Sequence, residues 1–133
     1  HETDEKGAIF IYSIPKDIRN DVWKRKILYR GFPVLKSGIG QASPGEAIAF
    51  KRHVNDKNKY IVVSGDGAEF VYLFAPVPTS DDPLNYELVW SQNLEGTVGD
   101  IDVADVNGDG YAEIFVNEYD NEKIYAYTFN PNV

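Results

Sequence analysis

Oxygen-bearing side chains recur at every second position in one short stretch: Asp105, Asn107 and Asp109, followed at once by Gly110 and three residues later by Glu113. Counted from Asp105, these occupy positions 1, 3, 5, 6 and 9 of a loop. Alternate side chains converge on one centre only if the chain curls tightly, and a glycine at the sixth position supplies the backbone freedom for that curl. Carboxylates and an amide turned towards one point repel each other unless a cation lies between them. A donor set of oxygens without His or Cys selects a hard ion, and Ca²⁺ fits best. The competing reading is a hydrophilic turn, since Asn-Gly and Asp-Gly favour turns by themselves. A plain turn has no need of oxygen donors at three alternate positions. An EF-hand is excluded, because it requires Glu at position 12, where this chain has Val116, and helices on both sides.

The loop must be held by strands. Segments rich in β-branched and aromatic residues, bounded by Gly, Pro, Asn and Asp, recur along the chain and predict an all-β fold. Residues 16–29 offer a weak helical stripe, but the alternation over 22–28 predicts a strand there. Three segments resemble one another: 7–15, 68–76 and 122–131, each aromatic and each ending on a proline (Pro15, Pro76, Pro131). Proline suits a strand end because it cannot donate to the ladder. A Trp-bearing strand follows the first two (22–28 and 86–92). Two further strands precede the second (47–50 and 60–63) and the third (101–104 and 114–116). The order is therefore two strands, then four, then three. Four-stranded antiparallel units repeating at about 40–60 residues are the signature of propeller blades. The expected organisation of residues 1–133 is a partial blade at 7–30, a complete blade at 45–94 and a partial blade at 97–131. Glycine-rich segments at 38–45 and 96–99 mark the steps between units. About two and a quarter blades cannot close a ring, so the segment is expected to belong to a larger propeller or an assembly, with self-association one route. A β-sandwich is the alternative architecture.

Composition narrows the function classes. The 133 residues carry a net charge of −8, which argues against nucleic-acid and anionic-membrane surfaces as partners. Charge is unevenly placed: seven of the 13 basic residues lie between Lys16 and Lys36, and nine of the 21 acids between Glu95 and Glu122. No run is long enough for a membrane-spanning helix. Without Cys there is no disulfide, thiolate zinc site or cysteine nucleophile. Met is also missing and the chain begins with His1, so the amino end is expected to come from processing, cleavage or the design of the expressed segment.

Over residues 99–118 the sequence resembles the calcium-binding propeller repeat of the FG-GAP/VCBS type, found in integrin α-chain heads, fungal lectins and some polysaccharide lyases. That pattern sets Asp-x-Asp/Asn-x-Asp-Gly-x-x-Asp between the first and second strands of a blade. Here Asp105, Asn107, Asp109 and Gly110 match it, with Glu113 in place of the more usual Asp. The resemblance implies ligation of Ca²⁺ by the side chains of Asp105, Asn107, Asp109 and Glu113 and the carbonyl of Tyr111. The equivalent turn of the middle unit, residues 51–59, is basic and is expected to bind no cation. The implied function is a calcium-stabilised propeller segment of a secreted or surface protein that binds a carbohydrate or protein ligand without catalysis. The alternative is a part of a sugar-active lyase or dehydratase.

Other constellations carry less. Ser64-Gly-Asp-Gly67 and residues 118–122 read as hairpin turns. His1 with His53 is the pair from which a copper brace is built, but no other feature supports that chemistry. Trp23 and Trp90 could stack on sugar faces, and packing between units is the stronger expectation for both.

Overall fold

The computed structural model describes residues 7–35 and 43–133. Among the described residues, nine strands fall in three antiparallel sheets. The first sheet pairs β1 (Gly7–Ser13) with β2 (Lys24–Phe32). The second runs β3 (Ala47–Phe50), β4 (Tyr60–Ser64), β5 (Phe70–Pro76) and β6 (Tyr86–Asn93) in spatial order, and the third runs β7 (Val98–Ala104), β8 (Glu113–Glu118) and β9 (Lys123–Thr128). Within each sheet every strand pairs with its neighbour in the chain, and among the described residues there is no helix. The expected partition into two, four and three strands is observed.

The middle sheet supplies the core because its two central strands are apolar on both faces. Side chains alternate across a strand, so Ile61, Val63, Tyr72 and Phe74 turn to one side and pack with Phe32 of β2. Val62, Val71 and Leu73 turn to the other side and pack with Ile101, Ile114 and Val116 of the third sheet. Each such side chain taken fully out of water contributes about 1.5–3 kcal/mol. Trp90 joins the second of these clusters and meets Tyr127 edge-on, with ring centroids 5.0 Å apart, so it packs between sheets as expected.

Two expectations are corrected. The strand expected at 22–28 begins later and runs to Phe32. Residues 17–21 form a turn instead, in which the Asp17 carboxylate accepts the N–H groups of Arg19 and Asn20, and Asp21 N–H donates to the Asp17 carbonyl. Trp23 is consequently left outside the strand, 45 % exposed, its indole N–H on the Ile18 carbonyl. It does not pack between sheets. The strand expected from Ala68 begins at Phe70, because Asp66 and Glu69 take left-handed backbone angles (φ 48° and 63°) that a strand cannot contain. His1 and most of the glycine-rich segment at 38–45 lie outside the described residues.

Candidate cation loop and the contacts around it

Residues 105–112 connect β7 to β8, the first and second strands of the third sheet. The loop is wound around Asp105. One carboxylate oxygen, Oδ1, accepts the backbone N–H groups of Gly108 (2.8 Å) and Asp109 (3.1 Å), and Oδ2 accepts that of Gly110 (2.9 Å). Three amides can point at one side chain only if the backbone reverses, and Gly108 and Gly110 make the reversal at φ 75° and 88°. Asn107 Oδ1 accepts from Asp109 N–H at 2.9 Å and Asp109 Oδ1 from Tyr111 N–H at 2.8 Å. The amides of Asn107 and Asn130 both donate to Asp109 Oδ2, at 3.1 and 2.6 Å. The Tyr111 N–H, then the Asn130 amide, hold the Asp109 carboxyl below the usual carboxylate range.

Glu113 is placed differently from its three partners. It is the first residue of β8 and 7 % exposed. Its Oε2 accepts Val106 N–H at 3.1 Å and its Oε1 accepts the Thr128 hydroxyl at 3.0 Å. The carboxylate therefore ties the loop to β9. Among the described residues, no three His, Cys, Asp or Glu side chains are gathered closely enough to form a metal-holding group as they stand. The donor chemistry nevertheless fits a hard divalent cation. Asp105, Asn107 and Asp109 lie on one tight curl, all their donors are oxygen, and the backbone hydrogen bonds that make the curl are already in place. Sequence reasoning missed Asn130, whose amide reaches Asp109 from beyond β9 and which no spacing rule ties to the loop.

The basic turn of the middle sheet, residues 51–59, lies directly against this loop. Val54 N–H donates to the Gly110 carbonyl (2.8 Å) and Ala112 N–H to the Arg52 carbonyl (2.9 Å), which sets His53 and Tyr111 opposite each other as an antiparallel bridge. Their rings are 4.5 Å apart between centroids. No sequence signal identified this contact, since the two segments are far apart in the chain.

The other ends of the same two sheets meet around a cleft of about 500 Å³. Glu46 Oε2 accepts Ile101 N–H (3.0 Å) across it, and Asp66 forms a bridge with Val98. Asp120 Oδ2 accepts both the N–H and the hydroxyl of Thr97. Asp100 and Tyr119 also line the cleft, and Tyr119 is 78 % exposed. Scans against protein-family models, curated proteins and solved structures found no match to this chain.

Proposed function

We propose that the chain is a calcium-stabilised segment of a blade-type β-propeller, from a secreted or surface protein, that binds a carbohydrate or protein ligand. The observation that carries this reading is the curl of residues 105–110 around Asp105, between the first two strands of a sheet. The three meandering sheets, packed face to face in chain order, support the blade assignment.

Bound calcium would supply positive charge that offsets the clustered carboxylates. Asp105, Asn107 and Asp109 would hold it with side-chain oxygens, the Tyr111 carbonyl would add a backbone donor, and Glu113 would serve the loop's far end. Because the unfolded chain lacks this arrangement, affinity for the ion becomes folding stability. For the ligand we assign the cleft at the opposite ends of the sheets. There the Asp100 carboxylate can accept hydroxyl hydrogens and the exposed Tyr119 ring offers a flat apolar face.

Thermal melts test the calcium reading. Calcium should raise the melting temperature, EDTA should reverse the rise, and Asp105→Ala should abolish it. A wild-type melt indifferent to both calcium and EDTA would overturn the reading. Binding on a glycan array, lost in Tyr119→Ala, is the corresponding test of the cleft.

A further inference from the structure

The turn of the middle sheet has the position of a cation loop but not its alternating acids: its one carboxylate, Asp56, is paired with Arg52, and its backbone is committed to the neighbouring sheet. We infer that residues 52–54 form the outer wall of the cation loop, so that ion binding by the third sheet and docking of the middle sheet upon it are one coupled event. This rests on the calcium reading above and extends it from a local turn to an interface.

The geometry is specific. The two inter-sheet hydrogen bonds, Val54 N–H to the Gly110 carbonyl and Ala112 N–H to the Arg52 carbonyl, fall on the residues immediately before and after Tyr111. Tyr111 is the residue whose carbonyl is assigned to the ion. A peptide fixed at both neighbours cannot swing its carbonyl freely, so the turn sets where that donor lies. The space over Gly110 is also closed by the turn. A Cβ there would stand 3.3 Å from His53 Nε2 and 3.4 Å from Val54 Cγ1.

The wall is itself braced. His53 Nδ1 accepts Asn55 N–H at 3.1 Å, and Asp56 N–H donates to the His53 carbonyl at 2.9 Å. Arg52 Nε pairs with Asp56 Oδ2 at 2.9 Å, and its guanidinium lies over the Tyr60 ring. A rigid turn can restrain the loop it touches, whereas a loose one would follow it. Coupling of this kind is reciprocal. If the turn restrains the donor, the ion must in turn hold the turn.

The experiment combines calorimetric titration of the protein with calcium alone and amide hydrogen exchange read at Val54 and Ala112. Calcium should slow exchange at both amides in the wild type and leave both unchanged in Asp105→Ala. His53→Ala, which removes the ring laid on Tyr111, should weaken calcium binding by about 5-fold or more, the lower end of typical coupling. If calcium binds the wild type but neither amide slows and His53→Ala binds equally well, the inference is overturned while the calcium reading stands. If the wild type gives no binding heat and no change in exchange, the calcium reading itself fails and the inference with it. Should His53→Ala not fold, exchange in the wild type and in Asp105→Ala decides alone, since a purely structural contact would show no response to the ion.

Discussion

The Glu118 carboxylate fills the space that a side chain on residue 96 would need: a Cβ on Gly96 would collide with Glu118 Oε1 and lie 2.6 Å from its Cδ. Glu118 is 1 % exposed, and its Oε1 accepts the N–H groups of Asp120 and Asn121 at 2.9 and 3.1 Å. Its Oε2 is buried with no partner. The side chain thus shapes the turn between β8 and β9 while it packs against the crossing from β6 to β7. Gly96→Ala should displace it, break both hydrogen bonds and leave a poorly solvated carboxylate, at a cost of about 2–3 kcal/mol. Urea unfolding of the variant measures this, and a midpoint equal to the wild type would show that the carboxylate moves aside freely.

The two left-handed glycines of the loop between β7 and β8 should respond differently to alanine. At Gly108 nothing lies within 4 Å of an added Cβ, so only the backbone strain of φ 75° opposes the change, about 1 kcal/mol. At Gly110 the same strain is joined by His53 and Val54 pressed on the new methyl, for a total of about 2 kcal/mol. Comparing the two variants by denaturant unfolding without calcium isolates the contribution of the neighbouring turn. Equal losses would mean that the turn yields.

The strand partition was legible because it depends on local alternation and on turn residues, both of which are contiguous in sequence. Ala47, Phe50 and Tyr60 open or close strands where expected. Trp23 was misplaced because the strand boundary is set by the Asp17 side chain capping a turn, which outweighs the alternation of the following residues. Glu113 was readable as an acid of the loop but not as a buried residue tied to Thr128, since that partner comes from β9. The docking of His53 on Tyr111 was not legible at all. It depends on how two sheets stack, and a predominantly basic turn carries no mark of it.

Alkaline pH should weaken the fold through Tyr72. Burial, and secondarily the neighbouring Tyr29, push its hydroxyl up from 10.0 to about 12. Tyr72 is 5 % exposed, and it stands edge-on to Phe32 with ring centroids 4.9 Å apart. The raised value belongs to the folded state. Between pH 10 and 12 the unfolded chain therefore gives up the proton while the folded chain keeps it, and stability falls as pH rises through this window. The shift corresponds to a loss of about 2–3 kcal/mol once both values are passed. Burial raises Tyr86 and Tyr127 in the same direction, so they add to the decline. Tyr72→Phe keeps the ring contacts and removes the titrating group. Its stability at neutral pH should differ from the wild type by no more than about 1 kcal/mol. Urea unfolding at stepped pH values should then show a shallower fall above pH 10 for the variant than for the wild type. Parallel slopes would assign the alkaline sensitivity to the other tyrosines and overturn the role given to Tyr72.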